Sequence, residues 1–139
     1  MSPRVVLDAG PLVAFLNHRE THHDWALQQW RRIEPPMITC EPVIAEVCFL
    51  AQRMPKGPRG VMELLGNGAV QIGFRLQGEV ASVDALMERY ANVPMSLSDA
   101  CLVRMLELHR DSELLTLDSD FSIYRMHGRR VISTIMPGR

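Results

Sequence analysis

No stretch of this sequence approaches the roughly 20 uninterrupted apolar residues that a helix needs to cross a bilayer. A membrane-spanning helix is therefore not expected. The opening segment, Met1 to Asp8, holds a single Arg and a short apolar run, too little for a signal peptide. Cysteine is scarce. Cys40, Cys48 and Cys101 are odd in number and lack zinc-type spacing, which excludes a disulfide framework and reads as reduced thiols in a cytoplasmic protein. None of the three sits in a recognisable nucleophile motif, so covalent catalysis through sulfur is not expected. There is no internal repeat, no low-complexity tract and no Pro/Gly/Ser-rich linker, so the 139 residues are expected to form one domain, 1–139. At 47% hydrophobic, the chain can bury a sizeable core.

Lysine is almost absent as well: Lys56 is the only one, and the rest of the positive charge is Arg. Arginine is the better residue for bidentate phosphate contacts. The net charge is −1, but five acids singled out below are candidates for one cluster. Setting them aside leaves 11 acidic against 15 basic residues. A basic rim around an acidic pit would suit a polyanion; where the arginines cluster depends on the fold.

The chain alternates strand-like and helix-like segments. Arg4–Ala9 reads as a first strand, Leu12–Leu16 as a short helix, and Thr21 with Asp24 as a capping box opening a helix through Trp25, Ala26, Trp30 and Ile33. Met37–Cys40 is a second strand, and Glu41-Pro42 opens a helix with an apolar stripe of Val43, Val47, Leu50, Ala51 and Met54. A helix around Val61–Leu65, a strand over Ala69–Phe74 and a helix over Gln77–Ala91 follow, the last with Val80, Val83, Leu86, Met87 and Tyr90 inward. Ser96 caps the next helix, Leu114–Leu117 is the fourth strand, Phe121–Arg125 a helical turn, and Val131–Ser133 a last short strand. This alternation predicts an α/β domain with a parallel sheet of about four to five strands and helices on both faces.

Four acids fall at element edges. Asp8 ends the first strand, before Ala9-Gly10-Pro11; a turn-forming role is the plain alternative. Glu46 sits on the shoulder of the apolar helix face. Asp99 completes a Ser96-Leu97-Ser98-Asp99 capping box and could do no more than that. Asp118 follows the fourth strand, with Asp120 two residues on. Acids after strands one and four, with another opening the intervening helix, would meet at the carboxyl edge of the sheet. If the strand order reverses there, that edge is a cleft. An all-oxygen cluster suits Mg²⁺ or Mn²⁺ rather than zinc, and the chemistry that follows is phosphodiester hydrolysis. Among the other candidates, His18 and His22 are four residues apart with His23 beside them, but a break between helices spoils zinc geometry. Of Trp25 and Trp30, one is expected in the core and the other partly exposed.

The stretches Val5-Val6-Leu7-Asp8-Ala9-Gly10-Pro11-Leu12, Pro42-Val43-Ile44-Ala45-Glu46-Val47, Ser96-Leu97-Ser98-Asp99-Ala100-Cys101 and Leu115-Thr116-Leu117-Asp118-Ser119-Asp120-Phe121 carry a resemblance. In order and spacing the chain resembles a PIN-domain ribonuclease of the small VapC-type toxin kind, over essentially its whole length. The resemblance implies that Asp8, Glu46, Asp99 and Asp118 are the catalytic acids and bind one or two Mg²⁺ or Mn²⁺ ions. It implies Asp120 as an auxiliary acid and Thr116 as a small polar residue beside the site. It also implies an RNA substrate, a 5′-phosphate product, an antitoxin partner held near the early helices and a homodimer. Two rivals remain. A non-catalytic PIN-like scaffold would bind RNA or protein only. A haloacid-dehalogenase-like phosphatase would need a second Asp two residues after Asp8, where the sequence has Gly10.

Overall fold

Val5-Val6-Leu7 is apolar on both sides of its pleat, and such a run is stable only where both faces of a sheet are covered. In the computed structural model, which describes residues 4–138, it forms β1 (Val5–Leu7), buried along its whole length. The chain continues through α1 (Ala9–Leu16), α2 (His23–Arg32), β2 (Met37–Thr39), α3 (Glu41–Leu50), α4 (Arg59–Gly66) and β3 (Val70–Ile72). It then runs through α5 (Val80–Arg89), α6 (Leu97–Leu108), β4 (Glu113–Leu115), β5 (Arg125–Met126), β6 (Arg130–Val131) and β7 (Thr134–Ile135). Five strands form one parallel sheet in the order β3-β2-β1-β4-β7. The expected α/β architecture is correct.

The strand order decides where chemistry can sit. From β1 the chain steps to β2 and β3 on one side, then returns to place β4 on the other side of β1. Connections leaving β1 and β4 therefore diverge, and a crevice opens between them at their carboxyl ends. Val5, Val6 and Leu7 pair with Glu113, Leu114 and Leu115, which brings Asp8 level with Thr116. The Asp8 N–H continues the ladder by donating to the Leu115 carbonyl at 3.0 Å.

Several boundaries differ from the sequence expectation. The first helix begins at Ala9 rather than Leu12, because Asp8 caps it directly and Gly10-Pro11 fits inside its first turn. The Thr21/Asp24 capping box is not made. Hydrogen-bonded turns after α1 (Glu20 N–H to Asn17, His23 N–H to Glu20) carry the chain to His22, which precedes α2 without a side-chain cap. The long helix expected over Gln77–Ala91 is split into a 3₁₀ turn at Leu76–Gly78 and α5. Glu79, at the joint, is drawn to Arg104 at 2.6 Å, and Val80 faces outward at 50% exposure instead of into the core.

The largest difference lies near the C-terminus. The strand expected at Val131–Ser133 is two elements: Arg130–Val131 pairs antiparallel with Arg125–Met126 in a small hairpin, and Thr134–Ile135 is the fifth strand of the main sheet. Buried Ile132 separates them while Val131 is 63% exposed. The hairpin turns through His127 and Gly128 at φ +51° and +81°, a backbone that glycine adopts freely and histidine only at a cost.

Both tryptophans are half-buried against the core, so the expectation of one partly exposed tryptophan holds and that of one fully in the core does not. Trp30 stacks on Phe15, ring centroids 4.2 Å apart and 11° from parallel. The His18/His22/His23 group forms no cluster: His23 Nδ1 bonds the Ala14 carbonyl at 2.7 Å, and His22 lies edge-on to Trp25.

Candidate active site

Asp8 has two jobs in the local backbone. As N-cap of α1 its Oδ1 accepts the Ala9 N–H at 2.7 Å, satisfying one of the free amides at the helix start. Its Oδ2 accepts the Thr116 hydroxyl at 2.7 Å. The side chain is buried. Burial pushes its carboxyl up to about 6, the Thr116 and Ala9 bonds pull the other way, and the charges of Asp99 and Asp118 add to the rise.

Thr116 is fully buried, and besides donating to Asp8 its hydroxyl accepts the Asp118 N–H at 2.9 Å. One hydroxyl thus ties the residue ending β1 to the loop after β4. Asp118 Oδ1 in turn accepts the Asp120 N–H at 2.9 Å and starts a 3₁₀ turn over Ser119–Ser122. Gly10 permits the close approach of α1 to this loop, since a Cβ there would stand 3.2 Å from Leu117 Cβ.

Asp99 opens α6 in a complete capping box: its N–H donates to Ser96 Oγ at 3.0 Å, and its Oδ2 accepts the Ser96 N–H at 3.3 Å. Capping does not exhaust it. The same Oδ2 accepts the Tyr124 hydroxyl at 3.1 Å, and Tyr124 is fully buried between Phe121 and Tyr90. Burial raises the Asp99 carboxyl above its usual range, the Ser96 and Tyr124 bonds offset part of that, and Asp118 adds repulsion. Tyr124 lies 25 residues away in an irregular turn, and no periodicity or motif in the sequence singles it out.

Glu46 projects from α3 into the same space. It is exposed at its outer side, and partial burial followed by the charges of Asp99 and Asp118 raises its carboxyl. Asp8, Glu46, Asp99 and Asp118 all line one open cleft of about 500 Å³, with Gly10 and Ser119 between them. Asp120 is not on that wall; it contributes its N–H to Asp118 and a negative charge near Tyr124. No basic residue lines the cleft, so the expected basic rim is not at its wall. Cys40 is buried, and the Cys101 sulfur with burial holds its thiol above the usual range, protonated and not nucleophilic.

The donor set tests the fit of a cation. Four carboxylates from four separate segments face one volume, the charges of Asp99 and Asp118 raise the proton affinity of their neighbours, and a hard cation would relieve that repulsion. Among the described residues, however, no three His, Cys, Asp or Glu side chains already converge tightly enough to cage an ion. The acids share the cleft but stand apart. Asp118 is the charge that bears on all three of the others. Asp118→Asn keeps the Oδ1 that accepts Asp120 N–H, so it is expected to stabilise the protein in chelator by about 1 kcal/mol, a few degrees in melting temperature. A variant that melts below wild type in chelator would mean Asp118 has a structural partner instead.

The PIN domain family model matches residues 5–125, which spans β1 through the start of the hairpin. The chain belongs to the PIN domain family. A comparison with curated proteins gave no match. PIN domains are typically nucleases and generally use divalent metals, and the match sets the phosphatase alternative aside. No described helix is long and apolar enough to cross a membrane.

Proposed function

We propose that this PIN domain, taken as the whole of residues 1–139, is a Mg²⁺- or Mn²⁺-dependent endoribonuclease and the toxin of a toxin–antitoxin pair. The observation that carries the reading is the gathering of Asp8, Glu46, Asp99 and Asp118 at the diverging ends of β1 and β4. Asp8, Asp99 and Asp118 would hold the ion, with Glu46 from α3 completing the set and Asp120 auxiliary. When bound, the ion would neutralise charge on the scissile phosphoryl group and lower the pKa of water.

The chain's own residues prepare the site. Thr116 orients Asp8 and fixes the Asp118 loop through two hydrogen bonds on one hydroxyl. Tyr124 and the Ser96 N–H hold Asp99 through Oδ2, leaving Oδ1 unclaimed by hydrogen bonds. The open cleft admits a phosphodiester chain rather than a small enclosed substrate. Glu46, the most exposed acid, is free to swing toward the others as charge enters the cleft. An antitoxin partner and a homodimer are part of this reading, as is a cytoplasmic location. Phe49 and Leu50 at the end of α3 and Met62 on α4, all exposed, are apolar surface that a partner would cover.

One observation favours a non-catalytic PIN-like scaffold: the acids do not stand in a ready-made cage. A single experiment separates the two. Purified protein should cut RNA with Mg²⁺ or Mn²⁺, leave 5′-phosphate ends and stop in chelator. Expression of the chain alone should arrest growth, and expression of Glu46→Gln should not. Absence of cleavage at every divalent-metal concentration, with RNA still bound, would establish the scaffold.

A further inference from the structure

Three of the arginines absent from the cleft gather at the other end of α6. A concavity of about 590 Å³ lies between the C-terminal turn of that helix and the β5–β6 hairpin. Arg110, Arg129 and Arg130 line it together with His109 and His127. All three arginines are exposed, and among the described residues none makes an ion pair. The two nearby acids do not balance them. Glu107 is already engaged, by Arg104 Nη1 at 3.1 Å and by the His127 N–H at 2.7 Å. Asp111 is left as the single uncommitted acid on the wall.

The frame around these arginines is fixed. The His127 N–H to Glu107 bond pins the hairpin turn to α6, and Arg89 Nη2 donates to the Gly128 carbonyl at 2.7 Å. On the floor, Ser112 Oγ donates to the His109 carbonyl at 2.6 Å and occupies one of the free acceptors at the helix end. Three guanidinium charges outweigh the partial negative charge, about half a unit, that the C-terminus of α6 presents to an anion. Three exposed guanidinium groups around one concavity repel one another, and a phosphate accepting bidentate bonds would reverse that. A flat solvated run of arginines would need neither the concavity nor the pinned turn.

We propose that this pocket is a second RNA contact, a phosphate-binding exosite for the polynucleotide whose scissile bond lies in the carboxylate cleft. The choice of RNA as the ligand rests on the nuclease reading; the anion site itself does not. Asp99 and His109 are ten residues apart on α6, about 15 Å at the rise of an α-helix. A long strand can reach both places and a dinucleotide cannot. The cleft, whose walls carry only negative ionisable groups, gains through the exosite the attraction for substrate that it lacks.

The test is binding of a fluorescent single-stranded oligouridylate, long enough to cross the domain, measured in chelator so that the cleft is silent. Wild type should bind with strong salt dependence. The Arg110→Ala/Arg129→Ala/Arg130→Ala variant should bind roughly 10-fold more weakly, with the log–log salt slope reduced by about 2, near 0.7 per lost phosphate contact. If that variant melts early, the triple Arg→Lys variant carries the test: it should bind several-fold more weakly with the slope retained, because charge remains and bidentate geometry is lost. Equal binding by wild type and variant overturns the exosite, and metal-dependent cleavage by the same preparation would leave the nuclease reading standing. Arginine-dependent binding without cleavage would do the reverse. Loss of polyglutamate binding with RNA binding intact would assign the pocket to an acidic protein segment and overturn the proposal.

Discussion

Asp8→Asn is expected to lower RNA cleavage by more than about 100-fold at saturating metal while leaving the fold in place. The estimate starts from the cost of disturbing a group that only orients a ligand, which is typically 10–100-fold; loss of the ligand charge itself should exceed that. Asparagine is the right substitution because Asp8 is also the N-cap of α1. Alanine would forfeit the cap, about 1 kcal/mol, and confuse stability with chemistry, whereas asparagine caps nearly as well as aspartate. Thr116→Val provides the graded comparison. It removes the donor to Asp8 and the acceptor for Asp118 N–H without touching a carboxylate, so a loss of about 10–100-fold is expected. Rates measured across a metal titration should show Thr116→Val partly restored at high metal and Asp8→Asn not restored. Wild-type cleavage by Asp8→Asn would place the reaction elsewhere on the molecule.

The second large effect is a dependence of stability on pH that runs opposite to ordinary acid denaturation. Asp8 titrates at about 6 in the folded protein against 3.8 for the free side chain. Between those values the folded state binds the proton and the unfolded state does not, so stability falls as pH rises through that window. Below about pH 4 the Asp8 penalty is absent; above about pH 6 it is complete, on the order of 3 kcal/mol. Asp99 and Glu46 are raised by the same causes, burial and the charge of Asp118, and act with the same sign. His109 is depressed by burial and by Arg4, and so acts with the opposite sign as its unfolded form deprotonates. The Asp8 contribution is isolated by difference. In chelator, wild type should gain roughly 6 °C relative to Asp8→Asn on going from pH 7.5 to pH 4.5, where about a third of the penalty remains. Adding Mn²⁺ should lift the pH 7.5 melting temperature and shrink that gap. Parallel pH profiles for the two proteins would mean that Asp8 is compensated in the folded state by a neighbour.

The two results bear on each other. An acid that is costly to ionise in the empty protein is one whose charge is useful only when a cation or a polyanion–cation pair enters. Three such acids, Asp8, Glu46 and Asp99, on one cleft are a stored repulsion, which a structural cap or a surface turn would not need to carry.

Much of the candidate site was legible in the sequence because each acid is tied to a local signal. Asp8 ends an apolar run, Asp99 closes a capping box that forms as the spacing indicates, and Asp118 starts a turn that its own side chain accepts into. Glu46 was legible from helical periodicity, although its side chain is more exposed than a place on the shoulder of the core suggested. Local rules of this kind act over one or two turns of chain, and a single sequence expresses them fully.

What the sequence by itself determined is the order of elements as far as β4, the parallel sheet, and the four acids, three at element ends and Glu46 within α3, since periodicity, caps and turn residues are written in neighbouring positions. Only the tertiary structure decided which of these meet. The reversal of strand order at β1 puts Asp8 beside Thr116, 108 residues apart in the chain, and a single buried hydroxyl links two of the acids. Packing against Phe121 and Tyr90 aims Tyr124 at Asp99, and the same folding leaves Asp120 off the cleft wall and gathers Arg110, Arg129 and Arg130 around a separate concavity at the other end of α6. The hairpin and the true fifth strand were hidden because their pairing is set by partners across the sheet: Leu114 and Leu115 select Thr134 and Ile135, not the more β-prone Val131. Hydrogen bonds and charge–charge terms between distant residues exist only once the backbone has placed them within a few ångströms, and no local pattern encodes that distance.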